Sequence, residues 1–142
     1  QRRCIEEFYN GLLSEIGARQ LFGQDRIKFY GSGPGAAMLA ICIPYDEADP
    51  APGNGNMVAI PQGSRELVDR LYARAIEMGG SDEGEPGERM PGFYGGYFRD
   101  PDGNGVELYR DRARADWPLD ANGDLAMVNA PLDVDALLAE AR

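Results

Sequence analysis

Histidine is absent from all 142 residues. Its absence removes the commonest metal ligand, the commonest general base, and the partner of every Ser-His or Cys-His nucleophile. Basic residues are scarce as well: 14 Lys and Arg face 24 Asp and Glu, a formal charge of −10. Affinity for a phosphate backbone rests on clustered Lys and Arg, so nucleic acid is not an expected partner. No apolar run approaches the roughly 20 residues that cross a bilayer, and Gln1-Arg2-Arg3 leads into an amphipathic pattern instead of a secretory apolar segment. The expected class is a soluble, cytoplasmic protein with no membrane partner. Cysteine is limited to Cys4 and Cys42, in a helix-like and a strand-like segment. Their setting predicts two buried free thiols in preference to a disulfide.

What is present is strongly patterned. Ile5, Phe8, Tyr9, Leu12, Leu13 and Ile16 recur at helical spacing and Gly17 ends the run. Arg19–Phe22 and Arg26–Tyr30 read as a hairpin around Gly23-Gln24-Asp25, and Met38–Pro44 as an apolar strand. Asp46 to Gly55 is rich in Pro, Gly, Asp and Asn and reads as a surface linker. The pattern then resumes with a strand over Asn56–Ile60 and a helix capped by Ser64 and running to Met78, where Gly79-Gly80 stops it. Gly80 to Pro91 is acidic and polar, with one or two strand segments expected. The chain therefore reads as α+β, with two groups of similar make-up that suggest an internal repeat. The first group lacks the strand that opens the second.

Phe98-Arg99-Asp100-Pro101-Asp102-Gly103-Asn104-Gly105 is a tight reversal, with fixed φ at Pro101 and φ > 0 expected at Gly103. The following Val106-Glu107-Leu108-Tyr109 alternates, placing Val106 and Leu108 on one face and Glu107 and Tyr109 on the other. On pattern alone Glu107 is a solvated carboxylate in mid-strand, because charged groups are rarely buried unless paired or metal-bound. Tyr94 and Tyr97 flank Gly95-Gly96 and leave room for a planar ligand, or else serve as core aromatics. Arg99 has Asp100, Asp102 or Glu107 as candidate ion-pair partners. Gly31-Ser32-Gly33-Pro34-Gly35 reads as a hairpin loop, since no helix and no Lys-Ser or Lys-Thr follows it.

The helix F-Y-N-G-L-L-S-E-I-G-A-R, the strands M-L-A-I-C-I-P-Y-D and N-G-N-M-V-A-I, the segment S-R-E-L-V-D, and G-F-Y-G-G-Y-F-R-D-P-D-G-N appear in that order. Together they resemble the vicinal oxygen chelate superfamily, which includes glyoxalase I, bleomycin-resistance proteins and extradiol dioxygenases. The resemblance implies paired βαβββ modules, at about 1–45 and 56–109 of a glyoxalase-like domain spanning 1–109. The first strand of the first module would be missing from the chain or supplied by another segment. Residues 110–142, with W-P, G-D-L-A-M-V and a short helix at P-L-D-V-D-A-L-L-A-E, resemble the end of the first domain in two-domain catechol-2,3-dioxygenase-like proteins. They form a C-terminal extension.

In metal-dependent members of that superfamily, ligands come from the first and last strands of each module. Carried over by motif, the last-strand ligand falls at Glu107, and the opening-strand ligand of the second module at Met57, a poor ligand for a hard or borderline divalent ion. The closing strand of the first module offers Ala40, Cys42 or Pro44. A non-haem iron site of two histidines and a carboxylate cannot be built from this chain. The expectation is a small-molecule-binding protein without a cofactor, with Glu107, Tyr94, Tyr97, Arg99 and Met57 as ligand-binding residues. A lyase, isomerase or dioxygenase using a divalent metal, with Glu107 as its ligand, is the alternative, and a non-catalytic structural module of a larger protein is a third. An unpaired sheet edge further predicts a homodimer, or an edge covered by residues of the C-terminal extension.

Overall fold

The apolar stripe of the first helix is satisfied by burial on one side only. In the computed structural model, which describes residues 2–111, α1 (Arg2–Ser14) buries Ile5, Phe8, Tyr9, Leu12 and Leu13. Gly17 then adopts φ 72 and the Ala18 amide returns to the Leu13 carbonyl at 3.0 Å, ending the helix where a residue with a Cβ would be strained. Three antiparallel strands follow in spatial order: β1 (Arg19–Gln24), β2 (Ile27–Gly31) and β3 (Leu39–Cys42).

The second group opens with β4 (Met57–Pro61). Ser64 Oγ accepts the Leu67 amide at 3.2 Å, capping α2 (Arg65–Glu77), whose Val68, Leu71 and Ala75 are buried. β5 (Ser81–Met90), β6 (Phe93–Arg99) and β7 (Gly105–Asp111) complete a four-stranded sheet in the order β4-β7-β6-β5. β4 runs parallel to β7, from Met57↔Gly105 to Pro61↔Tyr109, while the other pairings are antiparallel. The fold is thus α+β, a strand-helix-three-strand module preceded by a helix-three-strand counterpart, as the pattern predicted.

One core joins the two groups. Phe8 and Leu12 of α1 and Val68 and Leu71 of α2 pack with Phe98, Val106 and Leu108, and the Phe8 and Phe98 rings lie 6.1 Å apart. Each such side chain contributes about 1.5–3 kcal/mol on leaving water.

The Gly80–Pro91 stretch carries one strand, β5, of the one or two expected, with register shifts on either side of Pro86. Proline removes a ladder donor, and it is accommodated here because β5 is an edge strand. One expectation is corrected: both cysteines are free but exposed, not buried, since Cys4 falls beside the apolar stripe of α1 and Cys42 alternates with core-facing Ile41 on an edge strand. The C-terminal extension at 110–142 and its helix at Pro131–Leu138 lie, beyond Asp111, outside the described residues.

Candidate functional site

The turn between β6 and β7 positions the candidate site. Asp100 is buried, and its Oδ1 accepts the amides of Asp102 at 3.0 Å and Asn104 at 2.9 Å. Its Oδ2 accepts the Asn104 side-chain amide at 3.0 Å and the Tyr9 hydroxyl at 2.9 Å. Burial first, and then the charge of Asp100, raises the Tyr9 phenol above its ordinary range. Gly103 takes φ 87, as expected, and its carbonyl accepts Arg99 Nη1 at 2.7 Å. One carboxylate therefore closes the turn and ties it to α1.

Beyond the turn, strand alternation sorts side chains into two faces. Val106 and Leu108 enter the core against the helices. Glu107 lies on the other face, yet it is only 8% exposed, so the solvated reading does not hold. Its cross-strand neighbours are Tyr97 on β6 and Ala59 on β4. The Tyr97 phenol is raised by burial, by a hydrogen bond to Glu107 and by that carboxylate's charge, while Arg89, 5.1 Å above the ring centre, opposes the shift. Phe93 and Tyr109 stack on the same face with centres 5.4 Å apart and planes 12° from parallel. Gly95 leaves the floor open: a Cβ there would come within 3.5 Å of Glu107 Oε1.

The five residues expected at the site are thus divided. Tyr97 meets Glu107, and Met57 is on the same face of β4, exposed. Arg99 shares the parity of Tyr97, but its guanidinium is engaged by Glu83 Oε1 at 2.6 Å and by Gly103 O, not by Asp100, Asp102 or Glu107. Tyr94 is on the helix face, where its hydroxyl donates to Asp69 Oδ1 at 2.7 Å beneath the Arg65 guanidinium. Sequence reasoning missed Arg89, Phe93 and Tyr109 as companions of Glu107, although the parity of Tyr109 was readable. A separate cavity of about 620 Å3 includes Met57 and none of Glu107, Tyr94, Tyr97 and Arg99.

The family model described as Glyoxalase/Bleomycin resistance protein/Dioxygenase superfamily matches residues 7–108. The chain belongs to that superfamily. A glyoxalase/bleomycin resistance protein from Albidiferax ferrireducens T118 is 30% identical, with a TM-score of 0.69 over 76% of this chain and 88% of that one. The fosfomycin resistance protein FosX from Mesorhizobium loti shares the fold at 21% identity, with a TM-score of 0.59 over 82% of this chain and 87% of that one. The catechol-2,3-dioxygenase of Bacillus subtilis (strain 168) is 47% identical over 45 residues, which span 32% of this chain and 16% of that protein.

The superfamily resemblance implies a divalent metal, and the donor set can be tested for it. Among the described residues no three His, Cys, Asp or Glu side chains converge. Beside Glu107 stand the Tyr97 phenol, the stacked Phe93 and Tyr109 rings and the Ala59 methyl group, none of which fits a hard or borderline ion. Among the described residues no helix is long and apolar enough to cross a membrane.

Proposed function

We propose that this member of the superfamily binds a small molecule on the Glu107 face of the second sheet, without a metal, and that the ligand carries a cation or a hydrogen-bond donor. The observation that carries this reading is a buried carboxylate paired across the strands with Tyr97 and bordered by Phe93 and Tyr109, with small residues at Gly95 and Ala59 on either side. A carboxylate beside aromatic faces favours organic ammonium groups, and the −10 charge of the chain attracts cations from solution. We further propose a cytoplasmic homodimer built on domain 1–109 with the extension 110–142, to be checked by light scattering.

The test is a melting-temperature titration of the parent and Glu107→Gln with benzylammonium, its neutral analogue benzyl alcohol, and divalent ions. Glu107→Gln keeps the shape and removes the charge, so its fold should stay within about 1 kcal/mol of the parent. Stabilisation by benzylammonium should appear in the parent and vanish in the variant. If one divalent ion raises the parent by several degrees and leaves the variant unmoved, the metal-dependent alternative replaces this one.

A further inference from the structure

Glu107 and Arg89 flank the same tyrosine from neighbouring strands. Tyr97 lies on β6, between β7 and β5: Glu107 is its partner on β7, and the Arg89 guanidinium of β5 stands 5.1 Å from the centre of its ring. Arg89 fits there because Gly84, the β5 partner of Tyr97, has no side chain. A Cβ on Gly84 would come within 3.1 Å of Arg89 Nη2 and 3.2 Å of Tyr97 Cδ2. Nη2 also donates to the Glu85 carbonyl, which holds the guanidinium beside its own strand.

What both groups lack is a counter-charge. Arg65, Arg70, Arg74 and Arg99 are each matched with a glutamate, and two of these pairs take up Glu88 and Glu83 of β5. Among the described residues neither Arg89 nor Glu107 joins an ion pair. The chain carries a formal charge of −10, yet this one arginine has no carboxylate on it. Glu107 is 8% exposed and has no cation on it, and a buried charge is costly unless it is paired.

The space between the two charges is short and floored by backbone. Neighbouring strands lie about 4.8 Å apart, so β5 and β7 are separated by about 10 Å. Both side chains lean inward over β6: Glu107 Oε1 is 3.5 Å from where a Cβ of Gly95 would stand, and Arg89 lies over Tyr97. Gly87 pairs with Gly95, and a Cβ on Gly87 would meet nothing closer than the Glu85 carbonyl at 3.9 Å. A ligand that joins the two charges therefore carries a cation and an anion only a few bonds apart. Phe93, stacked on Tyr109, borders the same floor, its ring 3.4 Å from the Cβ position of Gly95. Resting on the reading of Glu107 above, we infer that the site takes a compact zwitterion, an α-amino acid with an aromatic side chain. Its ammonium meets Glu107, its carboxylate meets Arg89 and its ring lies against Phe93.

The experiment is isothermal titration calorimetry of the full chain, Arg89→Gln and Glu107→Gln with three probes. These are L-phenylalanine, phenethylamine, which lacks the carboxylate, and 3-phenylpropanoate, which lacks the ammonium. The parent should bind phenylalanine about tenfold more tightly than phenethylamine, the contribution of one charge-assisted hydrogen bond. Arg89→Gln should erase that advantage and leave phenethylamine unchanged, whereas Glu107→Gln should weaken both amines. Arg89 is exposed, so its variant should melt within a few degrees of the parent, and the comparison of probes on the parent stands without either variant. Phenethylamine bound by the parent as tightly as phenylalanine, or an equal loss of both amines in Arg89→Gln, would overturn the zwitterion and leave the ammonium reading of Glu107 standing. No binding of either amine, or 3-phenylpropanoate bound as tightly as phenylalanine, would overturn both.

Discussion

Replacing Tyr9 with Phe removes one oxygen and leaves the ring. The ring's packing is set by Phe8, edge-on at 5.2 Å, and by Tyr30 at 6.3 Å, and both contacts survive the change. What is lost is a buried hydrogen bond of 2.9 Å to a carboxylate. Hydrogen bonds to charged groups contribute about 1.5–3 kcal/mol. The lower half of that range applies, because Asp100 Oδ2 keeps the Asn104 side-chain amide at 3.0 Å and does not become an orphan. A loss of about 1.5–2 kcal/mol corresponds to a fall of about 7–9 °C in melting temperature for a domain of this size. Thermal and urea denaturation measure it, and a double-mutant cycle with Asp100→Ala assigns the loss to the pair. A Tyr9→Phe variant that melts within 1 °C of the parent, or that loses as much in the Asp100→Ala background as alone, would refute this account of the turn.

Three further substitutions or conditions probe local claims. Gly103→Val places a branched side chain at φ 87 and sets its Cβ 3.2 Å from Pro52, so it should cost about 1–3 kcal/mol in urea denaturation. Ser64→Ala removes the cap from Leu67 N and should cost about 1 kcal/mol, with faster amide exchange confined to the first turn of α2. The Tyr72 phenol is pushed up to about 12, by burial first and then by its bond to Asp82, whereas an unfolded chain titrates its tyrosines near 10. The folded form holds that proton more tightly, so this contribution is complete below pH 10 and declines as the pH rises to 12. Tyr72→Phe should flatten the fall in melting temperature across that window.

Much of the fold could be read from local chemistry. The stripe of α1, the Ser64 cap, the stops at Gly17 and Gly79, and the hairpin at Gly103 each depend on a few adjacent residues, and each was legible for that reason. The site was less so. Asp100 looked like one of several turn carboxylates, because its partner Tyr9 lies 91 residues away and no local pattern links them. Glu107 looked solvated because alternation gives the parity of a side chain and not what covers it. Tyr94 and Tyr97 were paired through their shared glycines, yet residues three apart in a strand point to opposite faces, and the structure sends Tyr94 to Asp69. Arg89 entered the neighbourhood of Tyr97 only through the register shifts of β5.

The parallel pairing of β4 with β7 also sets an order of assembly. β5, β6 and β7 are successive antiparallel strands that can pair as each is made, whereas β4 must wait while α2, β5 and β6 are synthesised. Throughout that interval Met57-Val58-Ala59-Ile60 is an apolar, uncharged strand with neither edge satisfied. A nascent chain arrested before Gly105 therefore presents a sticky segment that the finished chain conceals on one side. A nascent chain that has emerged from the exit tunnel only as far as the stretch between Gly92 and Asn104 should go to chaperones or aggregates, and one that has emerged past Asp111 should not.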